Sequence, residues 1–229
     1  MSSLKNVIKN VIFDFDGVLF DSMYVWQLAG DFFLHARGKE SSPTMRSTVR
    51  SLSVEQAALY FKREYNLSET PQQIVSEIYK GVEYYYRNEI QPRKGVREFL
   101  EELRAKGIRM CIATASQKQL VEAALARTHL DSYFEKIFTC SEVGHGKDEP
   151  DIFRLALEFF GGTREDTVVI DDSLYSIETA GRDGFLTVGV FDQSELSQDL
   201  LKEKSDCYLL GFEDMSAFWS AEKNGFYRQ

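Results

Sequence analysis

Two aspartates stand one residue apart after a short apolar run near the start of the chain, in VIFDFDGVLFDS, residues 11–22. Asp14 and Asp16 follow residues typical of a buried strand, and Gly17 then allows the backbone to turn sharply. Three more polar groups lie at the ends of predicted strands or in the loops that follow them. They are Thr114-Ala115-Ser116, Lys147, and the adjacent pair Asp171 and Asp172. Oxygen ligands without histidine or cysteine suit Mg²⁺ better than zinc. The lysine and the hydroxyls suit a phosphate group.

This set of residue types can transfer a phosphoryl group. A divalent ion beside Asp14 would keep its carboxylate ionised and available as a nucleophile. Lys147 would neutralise both the nucleophile and the phosphoryl oxygens, and the Thr114 hydroxyl can donate a hydrogen bond to them. Asp16 could protonate the leaving oxygen and then activate water. Gly17, Ala115 and Ser116 complete the predicted phosphate-binding set.

Two of these residues keep structural alternatives. Ser116-Gln-Lys-Gln119 is a capping-box pattern, so Ser116 caps the following helix, faces a bound anion, or does both. Asp171 is either a metal ligand beside Asp172 or a helix-capping aspartate.

The elements that must position these residues alternate along the second part of the chain. Short β-branched runs predict strands at 7–14, 108–114, 136–140, 167–171 and 186–190. Amphipathic runs predict helices at 117–128, 150–160, 173–184 and 194–204, with Pro150 in the first turn of the second. This alternation predicts an α/β fold with a doubly wound, Rossmann-like parallel sheet. Ligands bind at the carboxyl ends of such strands, so the polar groups should converge on one cleft.

Residues 22–91 have a different character and predict an inserted α-helical domain. Two capping-box patterns, at 53–56 and 70–73, mark helix starts, the second with Pro71 in the first helical position. The expected domains are therefore a core of 1–21 and 92–229 and a helical cap of 22–91.

Composition limits the partners. The chain has 229 residues and a formal net charge of −9, which argues against nucleic acid and anionic membrane surfaces. Its three cysteines form no CxxC pair, and no signal-peptide pattern opens the chain, so we expect a cytoplasmic protein. The expected partner is a small phosphorylated metabolite. The oligomeric state stays open, with a monomer favoured.

These motifs resemble the haloacid dehalogenase-like hydrolase superfamily, over nearly the whole chain. The segments GKDEPDIF (146–153) and DDSLYSIETA (171–180) are most similar to the subgroup of phosphoglycolate phosphatases and β-phosphoglucomutases. The resemblance implies a core with a helical cap, Asp14 as the nucleophile that becomes an aspartyl-phosphate, and Asp16 as general acid and base. It implies Mg²⁺ held by Asp14, the Asp16 carbonyl and Asp172, with Asp171 either contacting the metal or lying just beyond its ligands.

The chain also departs from that pattern. Asp148 stands where the family usually has proline after the lysine, and Ser176 and Thr179 replace small residues, although we expect neither to touch a catalytic atom. Trp26 stands where the mutases carry a histidine. We therefore expect a Mg²⁺-dependent phosphatase. A sugar phosphomutase and, in another class, a phosphoacceptor signalling module remain alternatives.

Substrate choice should come from the helical domain. Arg46 and Arg50 lie between two of its expected helices and could reach a substrate carboxylate or second phosphate, although a solvated surface position is the simpler interpretation. We expect the three histidines, His35, His129 and His145, to have no catalytic part.

Overall fold

The computed structural model describes residues 8–49, 54–224 and 226, without the side chains of residues 46 and 47. The chain forms two compact units. One is built from the chain up to Asp21 and from Gln91 onward, and the other is Ser22–Ile90.

The first unit contains a parallel sheet. Its strands are β1 (Asn10–Phe13), β4 (Arg109–Thr114), β5 (Ile137–Thr139), β6 (Thr167–Asp171), β7 (Leu186–Val190) and β8 (Cys207–Leu209), while β2 (Phe20–Asp21) and β3 (Gln91–Pro92) pair separately. The spatial order is β5-β4-β1-β6-β7-β8, and every neighbouring pair in it is parallel. The chain runs outward from β1 in one direction and then crosses to build the other half. β1 therefore lies at the topological switch point, where such sheets bind ligands.

Helices connect these strands. In the first unit they are α5 (Val96–Ala105), α6 (Lys118–Thr128), α7 (Cys140–Val143), α8 (Asp151–Phe160), α9 (Leu174–Asp183), α10 (Gln198–Lys204) and α11 (Ser216–Asn224), with 3-10 turns at Asp131–Tyr133 and Arg164–Asp166. Helix α8 packs on β1, β4 and β5, and α9 packs on β6 and β7. The predicted fold class, a parallel α/β sheet with connecting helices, is confirmed.

The ends of most elements differ from the sequence expectation, by as much as four residues at α10, which begins at Gln198 and not at residue 194. Two smaller differences lie on either side of the loop that holds Lys147. The strand predicted for 136–140 ends at Thr139, because Glu142 accepts a hydrogen bond from the Thr139 backbone N–H (2.9 Å) and α7 begins at Cys140. Pro150 is the N-cap of α8 and does not lie inside its first turn. Both are one-residue differences at element ends, where chain geometry changes gradually.

The second unit is helical, as the sequence predicts. Its helices are α1 (Met23–His35), α2 (Met45–Val49), α3 (Val54–Glu64) and α4 (Pro71–Asn88). Helices α1 and α3 both pack on α4, whose buried residues Ile74, Ile78, Val82 and Tyr86 form one face. The capping-box pattern at 53–56 begins at a residue outside the described part. No described helix has the length and apolar character needed to cross a bilayer.

The capping box at the start of α4 is complete. The Thr70 hydroxyl accepts from the Gln73 backbone N–H (3.2 Å), and the Gln73 side chain accepts from the Thr70 backbone N–H (2.8 Å). Two backbone donors that would otherwise lack a partner are thereby satisfied.

We expect Thr70→Ala to lower the free energy of unfolding by about 1 kcal/mol, because the N-cap acceptor is lost. Thr70→Ser, which keeps the hydroxyl, should remain close to wild type. Urea denaturation followed by circular dichroism measures both. Equal losses in the two variants would show that the methyl group, not the cap, carries the effect.

Candidate active site

The register of the central strands brings three polar positions to one edge of the sheet. Phe13 pairs with Ile112 of β4 and with Ile170 of β6. Asp14, which follows β1, donates its backbone N–H to the Ile170 carbonyl (2.8 Å). The carboxyl ends of β1, β4 and β6 therefore lie side by side, as expected from the sequence.

The loop after β1 is held by two stacked rings. Phe15 and Phe20 are fully buried and stack at 4.6 Å between ring centroids. The backbone N–H groups of Leu19 and Phe20 both donate to the Phe15 carbonyl (3.0 Å each). This tight turn fixes the direction of Asp14 and Asp16, which flank Phe15.

Gly17 is required in this turn for two reasons. Its φ of +77° is a conformation that L side chains rarely adopt. A Cβ placed there would also lie 2.4 Å from Oδ2 of Asp172. The absence of a side chain at Gly17 lets the Asp172 carboxylate approach the backbone of the loop.

Lys147 lies between two carboxylates. Its Nζ is 2.6 Å from Oδ1 of Asp14 and 2.9 Å from Oδ2 of Asp171, and its side chain is only 3% exposed. The ammonium group has three donors, so these two partners leave one for a further acceptor. A lysine this buried is stable because it is paired on both sides.

Asp171 is held by four donors. Its Oδ1 accepts from the backbone N–H (3.0 Å) and the hydroxyl (2.6 Å) of Ser173, and its Oδ2 accepts from Lys147 and the Ser176 hydroxyl (2.6 Å). Asp171 therefore does more than cap a helix. Ser176 bonds directly to this candidate metal ligand, a contact that the sequence does not indicate.

Asp172 has a different environment from its neighbour. Its side chain is buried, and no donor among the described residues makes a hydrogen bond to it. Carboxylate oxygens of Asp14, Asp171 and Asp172 lie within 4.8 Å of one another. Three acids and one lysine leave an excess of negative charge, and oxygen ligands of this kind fit a divalent hard cation such as Mg²⁺.

The pKa shifts of these residues also favour a bound divalent cation. Burial raises the pKa of Asp14 from 3.8 to about 7, with Lys147 opposing and Asp171 and Asp16 adding to the shift. Burial, followed by Asp171 and Asp14, also holds the pKa of Asp172 well above its usual range. Burial by itself lowers the pKa of Lys147, but the two carboxylates outweigh it and raise that pKa. Without a cation, the ionised forms of Asp14 and Asp172 are therefore costly.

Asp16 and Ser116 meet at the same edge, although they are far apart in sequence. The Ser116 hydroxyl donates to Oδ2 of Asp16 (2.5 Å). The capping alternative for Ser116 is wrong, because α6 begins one residue later with Gln117 as N-cap and no side-chain cap. Thr114 is buried, and its hydroxyl oxygen accepts from the Ser116 backbone N–H (3.0 Å), which leaves its hydrogen free to donate.

The remaining sequence candidates lie elsewhere. Ala115 is exposed in the loop after β4. Arg46 is in α2 and its side chain is not described, and Arg50 lies outside the described residues. The three histidines, His35, His129 and His145, are all exposed.

Sequence reasoning missed Arg93. Its backbone N–H donates to the Leu19 carbonyl (2.9 Å), and its guanidinium donates to the Gly17 carbonyl. Arg93 thereby ties the turn after β1 to the segment that returns from the helical insert. A lone arginine after a proline gives no sequence signal for this contact.

The sequence model of a family described as haloacid dehalogenase-like hydrolase matches residues 8–182, about three quarters of the chain. The chain belongs to the haloacid dehalogenase-like hydrolase family. The resemblance that the motifs indicate is confirmed, and so is the prediction that the chain is an enzyme of the hydrolase class.

Curated relatives carry phosphatase names. A probable pseudouridine-5′-phosphatase of Drosophila melanogaster is 30% identical over 84% of this chain and 85% of its own length. A putative pyrophosphatase PpaX of Caldanaerobacter subterraneus is 28% identical over 91% of both chains. A phosphorylated carbohydrates phosphatase of Thermotoga maritima is 25% identical over 74% of this chain and 79% of its own.

Solved structures of the haloacid dehalogenase-like fold superpose closely. A putative β-phosphoglucomutase from Thermotoga maritima gives a TM-score of 0.81 at 23% identity, covering 93% of this chain and 99% of that one. CbbY from Rhodobacter sphaeroides, solved in complex with phosphate, gives a TM-score of 0.76 at 22% identity, covering 91% of this chain and 96% of that one. At these identities the likeness establishes the fold.

We expect Gly17→Ala to cost about 1–2 kcal/mol of stability from the left-handed backbone alone, and to displace Asp172 from its position. Gly181→Ala is the matched control. A Cβ at Gly181, inside α9, meets only Thr187 Cγ2 at 3.8 Å, so this change should be neutral or stabilising. Chemical denaturation compares the two. Equal stability of both variants would contradict the close approach at Gly17.

We expect Asp172→Asn to stabilise the metal-free protein and to remove its stabilisation by Mg²⁺. Wild type at 100 times the Kd of Mg²⁺ should gain about 2.7 kcal/mol. In EDTA, wild type should lose stability as the pH rises from 3.8 toward 7, because the folded state holds the Asp14 proton to a higher pH than the unfolded chain. The stability of Asp172→Asn should fall less steeply over the same pH range.

The control for this experiment is Asp166→Asn. Asp166 is also buried, but it immediately precedes β6, at the opposite end of that strand from Asp171. Its Mg²⁺ response should match wild type. A full Mg²⁺ response in Asp172→Asn, measured by thermal unfolding with and without the ion, would contradict the assigned cation site.

Proposed function

We propose that this protein is a Mg²⁺-dependent phosphatase that hydrolyses a small phosphorylated metabolite through an aspartyl-phosphate on Asp14. The observation that supports it most strongly is the contact of Lys147 with Asp14 at 2.6 Å beside the cluster of three carboxylates. A lysine paired with a carboxylate in this way holds a nucleophile in one orientation.

The first half of the reaction transfers the phosphoryl group to the protein. An oxygen of Asp14 attacks phosphorus, and the bond between phosphorus and the ester oxygen breaks. Asp16, in its protonated form, gives its proton to the departing oxygen, so that an alcohol leaves. Lys147 offers its third hydrogen, and Thr114 its hydroxyl, to the phosphoryl oxygens as negative charge develops there.

The second half releases phosphate. Asp16, now ionised, takes a proton from water, and the water oxygen attacks phosphorus. The bond to Asp14 breaks and the carboxylate is restored. The Ser116 hydroxyl, 2.5 Å from Oδ2 of Asp16, keeps this carboxyl group in position for both proton transfers.

The metal belongs to the same proposal. Asp14 and Asp172 would hold Mg²⁺, with the Asp16 carbonyl as the further ligand that the family resemblance implies, and Asp171 beside them. When bound, the ion would neutralise charge on the phosphoryl oxygens and keep Asp14 ionised.

The relatives support a small phosphorylated molecule as the substrate. Their names refer to phosphorylated carbohydrates, pyrophosphate and pseudouridine 5′-phosphate, which share a terminal phosphoryl group. A cytoplasmic location stays a prediction from the sequence, and the oligomeric state stays open, with a monomer favoured.

Trp26 argues against the mutase alternative. Its indole N–H donates to the Tyr86 hydroxyl (2.9 Å), and its ring packs edge-on against Tyr79 and Tyr86. The Trp26 side chain thus packs inside the helical unit. An indole also cannot perform the acid–base chemistry of a histidine. The hydrolase family match argues equally against a signalling module.

We expect purified protein to release phosphate from phosphorylated sugars, nucleotides or pyrophosphate with Mg²⁺, and not with EDTA. Asp14→Asn should lower kcat by at least about a thousandfold, because it removes the nucleophile. Asp166→Asn, buried but remote, should retain activity. Failure of wild type to release phosphate from any ester, or full activity in Asp14→Asn, would overturn the proposal. Isomerisation of a sugar phosphate without phosphate release would favour the mutase.

A further inference from the structure

Two buried hydroxyls lie one turn apart on α9, the helix that follows β6 and the aspartate pair at its end. Ser176 and Thr179 are three residues apart and so share a face of the helix. They are 0% and 3% exposed. Both stand where the family usually has a small residue, and both use their hydroxyls outside the helix.

Ser176 acts on a carboxylate. Its hydroxyl donates to Oδ2 of Asp171 at 2.6 Å, the same oxygen that accepts from Lys147 Nζ at 2.9 Å. Because Ser173 holds the other oxygen, Ser176 completes the set of donors that fixes the orientation of the Asp171 carboxylate.

Thr179 acts on the backbone of the lysine loop. Its hydroxyl donates to the Asp148 carbonyl at 3.2 Å. Arg182 donates to the same hydroxyl oxygen (3.0 Å), which leaves the hydroxyl hydrogen to point at the carbonyl. The loop is thereby attached to α9 at the residue directly after Lys147.

Among the described residues, the backbone of this loop makes few other hydrogen bonds. Gly144 has a φ of +79°, Gly146 lies two residues further on, and Asp148 occupies the place of the usual proline. Its turn closes with one hydrogen bond, from the Glu149 backbone N–H to the Gly146 carbonyl (3.2 Å). Glycine enlarges the conformational freedom of a loop, and a missing proline does the same.

We infer that Ser176 and Thr179 are positioning residues that restrain Lys147 from both ends, the ammonium group through Asp171 and the backbone through the Asp148 carbonyl. The inference rests on the proposed role of Lys147 in phosphoryl transfer. In this chain, two hydroxyls on one helix supply the restraint that a proline after the lysine would otherwise give to the loop.

The test compares Thr179→Val, which keeps the shape and loses the hydroxyl, with Thr179→Ser, which keeps the hydroxyl, and adds Ser176→Ala. Thr187→Val is the matched control. Thr187 is 1% exposed and donates to Asp206 (2.9 Å), in a hydrogen-bond pair with no contact to the catalytic residues. All four are made in the full chain.

Two measurements are made on each variant. Hydrogen–deuterium exchange of peptides that cover 144–149 reports the restraint of the loop, independently of turnover. Hydrolysis of 4-nitrophenyl phosphate with Mg²⁺ reports kcat and KM. We expect Thr179→Val to exchange faster over 144–149 and, like Ser176→Ala, to lose about tenfold to a hundredfold in kcat, with a smaller change in KM. Thr179→Ser should restore the wild-type exchange rate over 144–149 and the wild-type kcat. Thr187→Val should change neither of them.

Unchanged exchange over 144–149 and unchanged kcat in Thr179→Val and Ser176→Ala would overturn the inference, as would equal effects in Thr187→Val. If wild type hydrolyses no phosphate ester, the proposed function fails. The exchange comparison of Thr179→Val with Thr187→Val then decides alone whether Thr179 restrains the loop.

Discussion

The ion pairs of Lys147 with Asp14 and Asp171 are the constraint on which the candidate active site depends. A buried ammonium group is stable only when its charge is compensated, and here two carboxylates from two neighbouring strands compensate it at 2.6 and 2.9 Å. The lysine therefore couples the end of β1 to the end of β6. Removing Lys147 would leave two buried carboxylates without compensation, so the three residues form one unit in energetic terms.

The same arrangement leaves Asp172 with no hydrogen-bond donor among the described residues, and this is the physical basis for assigning a cation site. Asp171 and Asp172 are adjacent in sequence, yet one carboxylate accepts from four donors and the other from none in the described chain. Adjacent residues can have such different environments because one points toward Lys147 and the N-terminus of α9, while the other approaches the backbone at Gly17. In the proposed mechanism, Asp171 orients the lysine and Asp172 holds the ion.

The fold and the main cluster could be predicted from the sequence because each depends on local patterns. A β-branched run ending in a polar residue marks a strand end, and parallel strands end at one edge, so Asp14, Thr114 and Asp171 could be placed together. The contacts that refine the site depend on long-range packing. Ser116 meets Asp16 across 100 residues, and Arg93 meets Gly17 across 76. For Ser116 the local capping pattern predicted a contact with the backbone of α6, whereas the hydroxyl bonds to Asp16. A local pattern carries no information about a carboxylate that the sheet brings near from a distant part of the chain.

Trapping the phosphorylated protein tests the central claim most directly. A turnover mixture of protein, Mg²⁺ and a hydrolysed ester is quenched in acid, digested with protease and analysed by mass spectrometry. The account predicts one phosphoryl group on the peptide that contains Asp14, lost on treatment with hydroxylamine, as expected for an acyl phosphate. A phosphoryl group on another residue, or steady hydrolysis with no phosphorylated peptide at any quench time, would contradict it.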